Sequence, residues 1–351
     1  MRVQRSTFIA QLEQVKHGLS PKDIVDQSSC FAFRDGKVFT FNDELACWGP
    51  SEFVPEGGGI AVPAAPLLAL LPKLPDEELD FQATAEGLKI RGKNKRVTLR
   101  TESEIRLPID TVEIAAESAY FEVPAGFVEG LSLVEGCAGT DDARFQFTCI
   151  HLTGKWVEAC DNVQMARYRV KLPGLGKDTF LIRKEAVKSV LTLDVAHAAV
   201  SGNWMFFRDG RDVVVACRRY KEEYPDLSSV IDAGGGEPAD LPKGLGDAAA
   251  NAAIFSADNV EDDHILVKLQ DGIASITGEG AAGAYNERRR VTYAGPPVSF
   301  RIAPKLLAKI TTEHPACRVS DKTLRVQVGR LTYVVALSVP GQSPTPEGDA
   351  E

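Results

Sequence analysis

The stretch FRIAPKLLAKITTE at residues 300–313 reads as a short apolar strand running directly into a helix. The same pattern occurs at 60–71 (IAVPAAPLLALL), 121–134 (FEVPAGFVEGLSLV) and 180–193 (FLIRKEAVKSVLTL). Two further helix-like segments, beginning near Ser6 and Lys243, fall in step with these, so that starts near Ser6, Pro63, Pro124, Arg183, Lys243 and Pro304 are 57 to 61 residues apart. A fixed period of this length marks an array of like structural units. Six members in one chain predict a curved or closed object.

Each unit pairs an amphipathic helix with a strand hairpin. In STFIAQLEQVKHGL, Phe8, Leu12, Val15 and Leu19 form one apolar stripe, with Ser6 as the expected N-cap. In KGLGDAAANAAIFSAD the stripe is Leu245, Ala249, Ala252 and Ile254. Pro63 and Pro66 suit a first helical turn, and Pro72 is expected to kink or end that helix. The hairpin turns are expected at Asp35-Gly36, Glu86-Gly87, Thr153-Gly154, Asp209-Gly210, Gln270-Asp271-Gly272 and around Ser320–Lys322. The expected class is α+β: three similar domains, each of two helix-plus-antiparallel-sheet modules. Polar or Gly/Pro-rich linkers at 101–118 and 232–242 place the domains at 1–118, 119–238 and 239–339, followed by a disordered acidic tail at 340–351.

The chain has 351 residues, 44% apolar and 25% charged, with a net charge of -9, and is long enough for several cores. An acidic total argues against nucleic-acid binding only for the chain as a whole, because a basic patch can sit on an acidic body. The six helical segments together carry +2 against that background. Arg288-Arg289-Arg290 is either a phosphate patch or a solvated strand edge. The seven cysteines are odd in number and show no C-x-x-C spacing, which reads as reduced core thiols in a cytoplasmic protein. The first residues lack the apolar core of a signal peptide, and no apolar run approaches a membrane span.

Enzymatic motifs do not emerge. Gly87 to Lys93 (GLKIRGK) matches most of a phosphate-binding loop, but Asn94 replaces the metal-holding Ser/Thr, and the flanks alternate as strands rather than leading into a helix. The five histidines lack metal-ligand spacing. Glu261-Asp262-Asp263 lacks the glycine and spaced oxygens of a calcium loop. The expectation is no catalysis, no cofactor and no metal.

Several segments resemble the bacterial DNA sliding clamp, the beta subunit of the replicative DNA polymerase. Glu158–Ala166 (EACDNVQMA) is similar to that family's T-D-G-H-R-L-A segment, and Tyr224–Ile231 (YPDLSSVI) to its F-P-D-Y-x-x-V-L/I. Asn251–Ser256 resembles A-A-I-L-S, Val291–Gly295 resembles V-x-Y-x-G, and Tyr333–Ala336 resembles Y-V-V-M, all in family order and spacing. The resemblance implies a head-to-tail homodimeric ring around double-stranded DNA, with helices lining the channel and sheets outside. The implied function is that of a processivity factor which tethers a DNA polymerase and is placed by a clamp loader. The alternative is a non-DNA structural ring or scaffold built from the same module.

By this resemblance, Lys16, Lys73, Lys184, Lys188, Lys305 and Lys309 face the DNA channel. Val97 and Leu99 of one copy meet Ile254 and Phe255 of the other. A peptide pocket is formed by Phe147, Cys160, Asn162, Val163, Gln164, Met165, Pro225, Val230, Val334, Val335 and Ala336. Asn-Val-Gln-Met at 162–165 and Leu337-Ser338 depart from the family pattern, and the chain continues past the family's usual end. Those departures imply either an altered peptide preference or a weakened pocket, and divergence of this kind fits a phage-encoded version.

Overall fold

The computed structural model describes residues 1–23, 25–116, 120–256 and 264–338. The acidic cluster at 261–263 and the segment expected as a tail, 340–351, lie outside the described residues. The helices are α1 (Arg5–Val15), α2 (Ala64–Leu70), α3 (Ile109–Ala116), α4 (Phe127–Glu135), α5 (Lys184–Val190), α6 (Ser228–Ile231), α7 (Lys243–Ser256) and α8 (Pro304–Glu313). Six of these match the repeat, and each is followed by a strand hairpin. The contacts divide the chain into two compact units. The first comprises residues 1–135, 141–157 and 170–224, and the second 136–140, 158–169 and 225–351.

In the first unit, strands Arg2–Gln4, Glu78–Thr84, Gly87–Arg91 and Arg96–Leu99 form a four-stranded antiparallel sheet in that order, leaving Arg96–Leu99 as an edge. A second sheet fuses two repeats: Leu45–Pro50 pairs with Val214–Arg218 through Ala46 and Ala216. The apolar stripe of α1 buries Phe8, Leu12 and Val15. Phe8 meets Phe33 and Phe81 at ring-centroid distances of 5.8 and 5.2 Å, the second edge-on. Edge-on aromatic pairs add roughly 1 kcal/mol each beyond their burial.

Local details refine the sequence reading. Ser6 is not the N-cap; α1 begins one residue earlier, and its first turn is satisfied from afar. The Glu77 carboxylate accepts the Ser6 backbone N–H at 2.8 Å, and the Glu77 carbonyl accepts that of Arg5 at 2.7 Å. Hydrogen bonds from the Ser6 side chain and then its backbone N–H hold the Glu77 carboxyl below its ordinary pKa. The second hairpin turns at Ala85-Glu86, since Thr84 pairs with Gly87. Gly87 serves a different purpose: a Cβ there would lie 2.0 Å from the Leu99 carbonyl oxygen, so only glycine lets the next strand approach. The third hairpin turns at Gly154-Lys155, closed by Thr153 N–H to the Trp156 carbonyl at 3.0 Å. Asp35-Gly36 and Asp271-Gly272 both adopt positive φ at both residues, as two-residue hairpin turns with right-handed strand twist require.

The expected linker at 101–118 contains α3. Leu107, Ile109 and Val112 are buried against Phe39, Trp48 and Phe206, so this segment covers an apolar sheet face that would otherwise meet water.

In the second unit, strands Gln164–Arg169, Leu331–Ala336, Thr323–Val328, Ala316–Val319, Glu237–Asp240 and Thr292–Tyr293 are hydrogen-bonded in that order. Another sheet runs Gly283–Arg290, Ile273–Gly280, Ile265–Gln270, Val298–Ile302, with Gly283–Arg290 at its edge. Helices α7 and α8 pack together, burying Leu245, Ala248, Ala249 and Ala252 of α7 and Leu307 and Ile310 of α8. Small residues make the approach close. A Cβ on Gly246 of α7 would sit 3.0 Å from the Ala308 Cα of α8. Ile254, expected in the buried stripe, instead points outward and is 69% exposed.

Candidate functional site

The six lysines assigned to a channel all lie on or just after repeat helices. Four are engaged. Lys16 pairs with Glu13. Lys184, only 15% exposed at its side chain, lies 3.8 Å from Glu135. Lys188 donates to Glu185 at 2.8 Å and lies 3.9 Å from Glu135; the Glu185 hydrogen bond raises its pKa. The Lys309 ammonium sits 5.2 Å from the centre of the Tyr333 ring. Lys73 and Lys305 are exposed, and no ion pair among the described residues involves either.

The residues assigned to a peptide pocket divide between surfaces. Phe147 belongs to the first unit, half-buried in the 3-10 segment Asp142–Thr148, with the Arg144 guanidinium 5.8 Å from its ring centre. Cys160 is buried. The second unit holds the rest. Asp161 organises the approach: its carboxylate accepts the backbone N–H groups of Val163 and Gln164 at 2.7 and 2.8 Å, which fixes the turn carrying exposed Asn162. The Ala336 N–H then reaches the Val163 carbonyl at 2.8 Å.

Strand alternation decides which side chains share a face. Met165 lies opposite Val334, and Gln164 opposite Val335. Gln164 and Val335 therefore face the Tyr333 side, where the Tyr333 hydroxyl donates to Gln164 Oε1 at 2.8 Å and Gln164 Nε2 donates to the Gly136 carbonyl at 3.2 Å. Burial raises the Tyr333 pKa, helped by the nearby Cys137 and Asp161. The opposite face brings together Val163, Met165, Val334 and exposed Ala336. Beside it α6 lies against strand Leu331–Ala336, with Pro225 and Val230 exposed.

The polar supports of this second face were not anticipated. Arg167 and Glu158 form a buried pair at 2.6 Å, with side chains 5% and 3% exposed. Arg167 also donates to Ser228 Oγ at 3.3 Å. Arg325 donates to the carbonyls of Ile231 and Val230. Two guanidiniums thus fasten a four-residue helix that has little stability of its own. Arg167 and Arg325 could have been found by asking which strand residues on the buried side are charged. Nothing in the sequence named their partners.

The residues assigned to a subunit contact occupy open positions. Val97 and Leu99 are half-buried on the edge strand Arg96–Leu99. In the second unit, the Phe255 ring stacks on Tyr285 of the edge strand Gly283–Arg290 at 6.0 Å, and Ile254 projects beside it.

These geometries belong to a known architecture. A Pseudomonas aeruginosa structure, DNA polymerase III subunit beta, superposes with a TM-score of 0.84 at 18% identity, covering 97% of this chain and 99% of its own. The chain has the sliding-clamp fold. The beta chain from Streptococcus pneumoniae gives 0.83 at 14% identity, and the beta subunit from Thermotoga maritima 0.82 at 16%, each covering 96% of this chain and 98% of the other. No protein-family model and no curated protein matches the sequence. The clamp fold therefore persists here at sequence identities where pairwise comparison has little left to detect.

Proposed function

We propose that the chain is a DNA polymerase processivity factor: a non-catalytic, cofactor-free homodimeric ring that encircles double-stranded DNA and tethers a polymerase. The observation that carries this reading is end-to-end agreement with the clamp fold, 97% of this chain against 99% of a DNA polymerase III beta subunit. Three domains per copy, near 1–118, 119–238 and 239–339, give a six-domain ring when two copies close head to tail.

Closure requires two different surfaces on each copy that complement one another. The edge strands Arg96–Leu99 and Gly283–Arg290 offer unpaired backbone groups, and Val97, Leu99, Ile254 and Phe255 offer apolar side chains next to them. Joining them satisfies both. Inside the ring, Lys16, Lys73, Lys184, Lys188, Lys305 and Lys309 supply phosphate contacts. Weak contacts suit a sliding role, and pairing four of the six with neighbouring groups keeps them weak. The face of Val163, Met165, Val334, Ala336, Pro225 and Val230 takes a short apolar peptide from the polymerase or the clamp loader. Ala336 and Met165 give that face a different relief from the family pattern, which favours a different peptide. Working on DNA inside the cell makes the cytoplasm the natural location.

Light scattering combined with retention on circular versus linear DNA tests the reading. The chain is expected at twice its 37.9 kDa mass and retained on circles but lost from linear ends. Phe255→Asp places a charge in the subunit contact and is expected to give monomers with no retention. An unchanged mass for this variant would refute the contact.

A further inference from the structure

The Arg288-Arg289-Arg290 run is divided by strand alternation into two roles. Arg289 lies opposite Ala274 on the helix-covered side and pairs with Glu287. Arg288 and Arg290 lie on the opposite, outward side, facing Ser275 and Ile273. The register extends that outward surface in rows. Arg288, Ser275, Lys268 and Ser299 cross the four strands in one row. Asn286, Thr277, Leu266 and Arg301 form the next, and Arg290, Ile273 and Gln270 flank the other side.

No Asp or Glu occurs in these three rows. Among the described residues, no ion pair or side-chain hydrogen bond engages Lys268, Arg288, Arg290 or Arg301. Exposed Lys268, Arg288 and Arg290 and half-buried Arg301 are set against a chain of net charge -9. Strand geometry spaces Arg288 and Arg290 about 7 Å apart and Arg288 and Lys268 about 9.5 Å apart. Asn286 Nδ2 donates to Ser275 Oγ at 3.4 Å and to Thr277 Oγ1 at 2.8 Å, which leaves those two hydroxyls as neutral donors between the cations. The rows carry no aromatic ring on which a base could stack.

We propose that this outward sheet face binds the phosphate backbone of nucleic acid, without reading sequence, at a site separate from the channel lysines. The choice of nucleic acid among polyanions rests on the processivity reading, which puts the chain on DNA. The face offers charge and donors without stacking rings or pockets, which is the chemistry of backbone contact. It would hold a portion of DNA lying along the outside of the ring.

Anisotropy of a labelled short linear duplex, titrated with the full chain over about 50 to 200 mM salt, measures the contact. The background is Phe255→Asp, so that encirclement is removed. Four phosphate contacts on this face contribute about -3.6 to the log–log salt slope, in addition to the share of the channel lysines. Arg288→Ala with Arg290→Ala is expected to cut the slope by about two and weaken binding roughly tenfold. Lys268→Ala, on an interior strand away from the edge, is expected to cut it by about one. Unchanged slope and affinity in these variants would overturn the proposal. So would equal competition by polyglutamate at matched charge, which assigns the face to an acidic peptide. A rise in affinity on removing residues 339–351, with Glu347, Asp349 and Glu351, would assign it to the chain's own acidic segment. Failure of the ring reading shows separately, as lost retention of the unsubstituted chain on circular DNA.

Discussion

The helix lysines and the outward cations of the Ile265–Ile302 sheet carry the same charge in opposite circumstances. Lys16, Lys184, Lys188 and Lys309 each have a carboxylate or an aromatic ring within reach, whereas Lys268, Arg288, Arg290 and Arg301 have none among the described residues. A paired cation is partly spent on the fold, and its field is cancelled within a few ångströms. An unpaired one projects its field to about the Debye length, near 8 Å at physiological salt. Counting charges along the chain cannot separate the two, because pairing is a property of neighbours.

The comparison can be pushed hardest at its buried extreme. Glu158→Ala leaves Arg167 without its carboxylate in a site where both side chains are nearly inaccessible. A loss of about 3–5 kcal/mol is expected, read as a lower urea midpoint. A change under about 1 kcal/mol would mean that the pair contributes nothing beyond its own desolvation. Next comes Lys184→Ala with Lys188→Ala. This double variant is expected to stay folded and to show reduced retention on circular DNA. Retention equal to the parent would assign these lysines to Glu135 and Glu185 and remove them from the channel.

Smaller effects sharpen the contrast. Lys309→Ala removes the ammonium above Tyr333 and is expected to cost about 0.5–1 kcal/mol by thermal melting. Outward Lys268 has no such partner, so its removal should leave the melt within about 0.5 kcal/mol. The smallest effect concerns His17, which follows Lys16. Burial, and then the Lys16 charge, lower its pKa below 6.5, opposed by Glu13. The unfolded chain therefore takes up this proton first on acidification. The His17 contribution is intact above pH 6.5 and is lost as pH falls from there toward the lower folded value. In Lys16→Ala, NMR titration should find the folded pKa moved up but still below 6.5. No movement would mean that Glu13 already cancels the Lys16 charge at this distance.

Much of the fold was legible because its signals are local. Asp35-Gly36 and Asp271-Gly272 announce their turns through the conformations that only a few residues adopt easily. Helix starts recur because each follows an apolar strand. The misses have a common cause in distant partners. Ser6 has the chemistry of a cap, but Glu77 performs the task from 71 residues away. Segment 101–118 looked like a linker because its apolar residues have no partner nearby in sequence; their partners are Trp48 and Phe206. The candidate site was legible in outline, as strands near 164 and 334 and a short apolar segment near 230. Which alternate residues face outward followed only from the register. Arg167 and Arg325, which hold that face in place, stayed invisible because a charged residue in a strand gives no hint of its counterpart.

The tie between α1 and Glu77 bears on how the chain is made. The opening strand at Arg2–Gln4 pairs with Glu78–Thr84, and the first helical turn is finished by a side chain just before it. A nascent chain therefore cannot complete its first helix when that helix leaves the ribosome. At roughly 5–20 residues per second, the wait is on the order of several seconds. During that interval Phe8 has no mature aromatic neighbour at Phe81, so α1 matures later than its place in the sequence suggests.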